Sequence, residues 1–103
     1  PAQDVLSEEG IAVDVQAHRV WIDGEEVVLT ATEFKLLSEL MHNRGRVLTR
    51  DRLLDRVWGY QFEGYARTVD THIRRLRQKL GPYAQLVETI RGVGYRFRER
   101  SAS

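Results

Sequence analysis

Residues 67–80 read RTVDTHIRRLRQKL. At about 100° per residue, Val69, Ile73, Leu76 and Leu80 fall in one narrow arc, the face that a helix must bury. Off that arc stand Arg67, Thr68, Thr71, His72, Arg74, Arg75, Arg77 and Lys79, all basic or short hydrogen bonders. Asp70 is the only acid of the stretch, and it is assigned to the first turn, where the helix dipole favours it. Thr68, Thr71, His72, Arg75 and Lys79 make a second stripe beside the apolar one. An apolar back, an Arg/Lys front and small polar residues near the N-terminus suit a DNA major groove. A charge run taken alone is also what a solvated face looks like. The flanking chain has to decide between the two.

A length of 103 residues is that of one domain, and 42% hydrophobic content is enough for one small core. The absence of cysteine excludes a disulfide framework and thiol metal sites, and it fits a reducing, cytoplasmic compartment. No apolar run approaches a membrane span, and no signal-peptide pattern opens the chain. The first residue is Pro rather than Met, so a piece of a longer protein is expected. The net charge of +1 hides a strong polarity. Residues 1–30 hold seven acids and one Arg, residues 31–66 five acids and six bases, and residues 67–103 three acids and nine bases. The basic C-terminal end can meet a polyanion, with the acidic N-terminal part facing away from it.

Upstream, IAVDV (Ile11 to Val15) alternates at period two, and RVWIDGEEVVL (Arg19 to Leu29) is a hairpin signal around Asp23-Gly24. Val5-Leu6 adds a short first strand, so residues 1–30 read as a small antiparallel sheet. Trp21 is assigned to core or sheet packing and His18 to the surface. Thr30-Ala31-Thr32-Glu33 is a capping box. It opens a helix to about Asn43 with Phe34, Leu37, Leu40 and Met41 inward, His42 in the last turn and Gly45 as its end. Thr49 caps a second helix, Arg50 to Trp58, which buries Leu53, Leu54, Val57 and Trp58 and stops at Gly59. GYQFEGYA (residues 59–66) is a loop dense in aromatics, which either fold back on the core or face another protein. Phe62 is assigned to packing, and Tyr60 and Tyr65 stay open between the two.

After the basic helix, Gly81-Pro82 is a stop. Gln85 to Ile90 reads as a strand, Arg91 to Gly94 as a turn and Tyr95 to Arg98 as a returning strand. This hairpin carries Arg91, Arg96, Arg98 and Arg100. Residues 1–4 and 99–103 are expected to be disordered ends. Sheet, helix, helix, loop, basic helix and basic hairpin together predict an α+β winged helix-turn-helix. Two adjacent basic elements are harder to dismiss as solvation than one.

LTATEFKLLSEL, RVLTRDRLLDRVWG, ARTVDTHIRRLRQKL and LVETIRGVGYRF together resemble the effector domain of OmpR/PhoB-type bacterial response regulators, over about residues 5–98. The resemblance implies promoter DNA binding and control of transcription. It also implies a receiver domain, not in this chain, that a sensor histidine kinase phosphorylates. In the family the third helix enters the major groove and the wing the neighbouring minor groove, with two copies head to tail on direct repeats. Carried over by position, DNA contacts fall on Arg50, on Arg67, Thr68, Thr71, His72, Arg74, Arg75 and Arg77, and on Thr89, Arg91, Gly92 and Tyr95. Thr68, Thr71, His72 and Arg75 are assigned to base edges, with Arg75 for a bidentate contact to guanine. Arg50, Arg67, Arg74 and Arg77 are assigned to phosphates and Arg91 to the minor groove. Tyr60, Phe62, Glu63 and Tyr65 fall where the family can contact RNA polymerase. Ala31 stands where the family often has Pro, and Thr71 where it often has Val; the Thr71 methyl can still meet a thymine methyl.

RGVGYRF partly resembles an RNA-binding signature of RRM domains. Val93 and Arg96 break it, and the chain lacks alternating strands and helices. A winged helix used for protein contact would keep the fold and change the job. His18, His42 and His72 lie in separate elements without ligand spacing, and no nucleophilic triad or phosphate-binding glycine loop is legible. No enzymatic activity, cofactor or metal is therefore expected, and the isolated domain is expected to be monomeric off DNA.

Overall fold

Asp23 and Gly24 take the left-handed conformations that a two-residue hairpin turn demands, with φ of 53° and 85°. Around that turn the computed structural model, which describes residues 5–59 and 66–98, forms an antiparallel meander. Its strands are β1 (Val5–Glu8), β2 (Ile11–Asp14), β3 (Arg19–Ile22) and β4 (Glu25–Val27). Period-two alternation puts Ile11, Val13 and Val20 on the buried face. Trp21 lies opposite Ala12 and Glu26, half-exposed, so it packs on the sheet and not in the core. His18 is exposed as expected, but its ring also stacks on Phe34 at 4.5 Å.

Helix α1 (Ala31–His42) opens with the expected box. The Glu33 amide donates to Thr30 Oγ1 at 3.1 Å, and the Thr30 amide donates to Glu33 Oε1 at 2.9 Å. Besides Phe34, Leu37, Leu40 and Met41, the helix buries Leu36. It ends at His42 with Asn43 as its cap, close to the expected end; the Asn43 side-chain amide donates to Glu39 O, and Gly45 follows in the left-handed conformation at φ 83°. Glu33 is only 2% exposed, and the same Oε1 accepts Lys79 Nζ of the third helix at 2.7 Å. Burial pushes this carboxyl up, but the Lys79 bond and the Thr30 amide outweigh it and hold the group below its ordinary value of 4.5.

Leu48–Thr49 form β5, and Thr49 caps α2 (Arg50–Leu53), accepting from the Arg52 amide at 3.1 Å. The second helix does not stay regular to its end. Leu54–Trp58 widen into a π turn before Gly59 closes it, and Trp58 stays half-buried. Helix α3 (Ala66–Leu80) buries Val69, Ile73, Leu76 and Leu80, each at 1% exposure or less. The strand expected from Gln85 begins later. Pro82 has no amide to give a sheet ladder but suits a first helical turn, so Gly81–Leu86 form a 3-10 segment. Tyr83 pins it to the first sheet, its hydroxyl donating to Asp23 Oδ1 at 2.5 Å.

The wing is β6 (Val87–Ile90) and β7 (Gly94–Phe97). It is not a lone hairpin: β5 pairs with β7, giving a three-stranded sheet of order β5-β7-β6. Gly94 is needed for this pairing rather than for the turn, since a Cβ there would lie 2.0 Å from Leu48 O. The turn itself uses Gly92, at φ 75°. Architecture and chain order are those of an α+β winged helix-turn-helix. The aromatic loop residues Tyr60, Phe62, Glu63 and Tyr65 and both chain ends lie outside the described residues.

Two measurements check these packing assignments. Leu76→Ala, at 0% exposure, is expected to lower unfolding free energy by about 2–5 kcal/mol in urea titration; a loss well under 1 kcal/mol would mean that α3 is not packed as described. Because the Glu33 carboxyl is depressed in the folded chain, its stabilisation is present above the ordinary value of 4.5 and is lost as pH falls through the lower folded value. Glu33→Gln should flatten that acid limb, and parallel profiles for both proteins would show that the Glu33–Lys79 pair contributes nothing.

Candidate nucleic-acid interface

Burial of four aliphatics sets the rotation of α3, and the rotation sorts its polar residues. Arg67, Thr71, Arg74, Arg75 and Gln78 lie opposite the apolar arc and are exposed. None of Arg67, Arg74 and Arg75 makes an ion pair or hydrogen bond among the described residues. Gln78 was not singled out by the sequence, where an amide among arginines carries no signal of its own.

One flank of the helix turns toward α1 and α2. There the ring of His72 meets Trp58 edge-on at 5.2 Å, and its Nδ1 donates to Thr68 O at 2.8 Å. Lys79 is tied to Glu33. The stripe of Thr68, Thr71, His72, Arg75 and Lys79 is thus divided. Thr71 and Arg75 stand on the open face, Thr68 and His72 are half-buried at its border, and Lys79 is paired.

The other flank turns toward the wing. Asp70 is past the first turn of α3, which begins at Ala66 and has no acid in that turn. Its role is therefore not with the helix dipole. Asp70 Oδ1 accepts both Arg50 Nε at 2.8 Å and the Tyr95 hydroxyl at 2.6 Å. Burial pushes the Asp70 carboxyl up, but the bonds from Tyr95 and Arg50 outweigh it and hold the group below its ordinary value of 3.8. Burial and the Asp70 bond push the Tyr95 hydroxyl up. The Asp70 bond and charge likewise raise Arg50. Tyr95, 5% exposed, is a buried wing residue whose hydroxyl is spent within the fold. Arg77 is also engaged: Nε and Nη2 donate to Val87 O at 3.0 and 2.6 Å, and Nη2 donates to Thr89 Oγ1 at 2.7 Å. Its guanidinium sits 5.6 Å from the Tyr95 ring centroid.

Beyond these anchors, Thr89, Arg91 and Gly92 are exposed on the wing, and Arg91 has no partner among the described residues. Gly92 and Val93 share a cleft with Thr49, Arg50 and Asp51, so the wing turn and the capped start of α2 form one concave edge. Such an edge, beside an open arginine face, can meet successive phosphates of a polyanion.

Residues 24–97 match the family described as transcriptional regulatory protein, C terminal. Among curated proteins, the chain is 48% identical over 97 residues to the response regulator ArlR of Staphylococcus haemolyticus, and 43% identical to ArlR of Staphylococcus aureus. Each alignment covers 92% of this chain and 44% of the relative, so the chain spans less than half the length of these proteins. Among solved structures, the RstA DNA-binding domain of Klebsiella pneumoniae in complex with the RstA box is 34% identical with a TM-score of 0.84, covering 91% of this chain and 96% of that one. The response regulator DrrB of Thermotoga maritima, an OmpR/PhoB homologue, is 30% identical with a TM-score of 0.83, covering 93% and 45%. Sequence, fold and the arrangement of helix and wing agree, and the chain belongs to the C-terminal domain family of OmpR/PhoB-type response regulators.

Proposed function

We propose that this chain is the DNA-binding effector domain of a two-component response regulator, acting on double-stranded promoter DNA to control transcription. The observation that carries this reading is the open face of α3, where Arg67, Arg74 and Arg75 stand beside Thr71 without hydrogen-bond or ion-pair partners among the described residues. An unpartnered arginine face on a rigid helix suits phosphates and base edges together. The complex of the similar RstA domain with its DNA box supports the same assignment. In this reading α3 enters the major groove and the wing, through Arg91 and Gly92, the adjacent minor groove. Arg75 and Thr71 read bases, with Thr68 and His72 at the border of the contact. Arg67 and Arg74 hold phosphates, Arg50 meets the backbone at the concave edge through the guanidinium nitrogens beyond the Nε held by Asp70, and Thr89 meets it from the exposed face of β6. Arg77 and Tyr95 act by positioning, since their polar groups are already engaged within the fold.

The remaining assignments are proposals on the same footing. A second copy binds head to tail on a direct repeat. The loop of Tyr60, Phe62, Glu63 and Tyr65 contacts RNA polymerase. A receiver domain outside this chain takes the signal from a sensor histidine kinase in the cytoplasm. No helix among the described residues is long and apolar enough to cross a membrane.

Selection from a random duplex pool, followed by salt titration on the winner and on a scrambled control, tests the reading. The expected result is a direct repeat with half-sites about one helical turn apart, bound far more tightly than the control. Sequence-blind binding that salt abolishes, or no binding at all, would overturn it. Within that assay Arg75→Ala should cost about 1–3 kcal/mol on the selected site and much less on the control. Arg74→Ala should weaken both alike and reduce the salt slope by about one.

A further inference from the structure

The single acid of α3 lies on a helix otherwise rich in arginine. Beside a phosphate backbone a carboxylate repels, so Asp70 is costly for binding unless it does something that binding needs. Its geometry supplies that role. One atom, Oδ1, accepts from the first residue of α2 and from the middle of β7. Three elements thus converge on one oxygen: the start of α2, the basic helix and the wing. The Tyr95 contact is sheltered, and both bonds are charge-assisted, the strong kind. A second tie lies alongside: Arg77 holds β6 through Val87 O and Thr89 Oγ1. Each strand of the wing hairpin is therefore fastened to α3 once, β7 by Asp70 and β6 by Arg77. β5 closes the circuit, since it pairs with β7 at Leu48–Tyr95 and runs directly into Arg50.

We propose that Asp70 is a positioning residue for sequence selectivity: through Oδ1 it fixes the angle between the basic helix and the wing and holds Arg50 in register with both. Reading a major groove and the next minor groove at once requires a fixed distance between helix and wing. Loose electrostatic binding to any duplex does not. Asp70 therefore gives up some general attraction to phosphates in return for discrimination, and its removal moves the two kinds of binding in opposite directions. The inference rests on the DNA-binding reading above.

The test compares wild-type protein, Asp70→Asn and Tyr95→Phe on the selected duplex and on its scrambled control, with a thermal melt of each protein. Asp70→Asn is expected to weaken binding to the selected duplex about tenfold, the worth of one hydrogen bond to a charged group. Binding to the control should be unchanged or tighter, with a salt slope raised by up to about one as Arg50 is released. Tyr95→Phe changes no charge and removes one hydroxyl. It should weaken the selected duplex alone, and it decides the matter if Asp70→Asn fails to fold. The two substitutions together should cost less than the sum of each, because they break one shared node. Equal tightening on both duplexes would overturn the inference, leaving Asp70 as mere repulsion. Equal weakening on both, in step with a lowered melting temperature, would overturn it too, leaving a stabilising contact only. If wild-type protein selects no duplex, the DNA-binding reading itself falls. If it selects one and Asp70→Asn selects it equally well, only the inference falls.

Discussion

Burial of Val69, Ile73, Leu76 and Leu80 holds α3 in rotation as well as in place. Those four side chains are all but inaccessible, and they share one core with Ile11, Val13 and Val20 of the sheet, Leu36, Leu37 and Leu40 of α1, and Phe97 of β7. An α-helix can offer only one such arc to a core, so once it is buried the opposite face is determined to within a few tens of degrees. Arg67, Thr71, Arg74, Arg75 and Gln78 are open for that reason. The N-terminal meander, α1 and α2 act largely as a frame around this constraint.

Each flank of α3 then carries one carboxylate that collects its neighbours. Glu33, on α1, binds its own helix start and Lys79 with the same oxygen. Asp70 binds Arg50 and Tyr95 with one oxygen. In both cases hydrogen bonds to the charged form outweigh the cost of partial burial, which keeps each group ionised. Cations on the flanks are thereby neutralised and set in place, while those on the open face remain available. The arginine count alone hides this division: Arg77 has two nitrogens on the wing strand, whereas Arg74 and Arg75 have none so engaged.

Much of the architecture was legible beforehand because it rests on local chemistry. The Asp23-Gly24 turn, the Thr30–Glu33 box, the Thr49 cap and the Gly59 stop each involve residues within a few positions of one another. The deviations have equally local causes seen only in context. Two-residue β5 is too short to show a period, and Gly94 looked like a turn residue although it is close approach to Leu48 that requires it. Pro82 delays β6 by turning Gly81–Leu86 into a 3-10 segment. The candidate interface was legible as a helix and a hairpin, yet not as a sorted set. A wheel groups His72, Arg75 and Lys79 by angle, but it holds no information about Trp58 or Glu33 waiting on one side.

The order of residues is enough to say which face of α3 is buried, where the helices start, and which family the motifs of residues 24–97 belong to. These follow from periodicity and capping, which act over three or four residues. Which charges are tied up and which stay open depends instead on the folded packing. The Arg50–Asp70, Tyr95–Asp70 and Lys79–Glu33 contacts join residues 20, 25 and 46 positions apart. Such pairs form because the core has already brought α1, α2, α3 and the wing together, and no local pattern records that proximity.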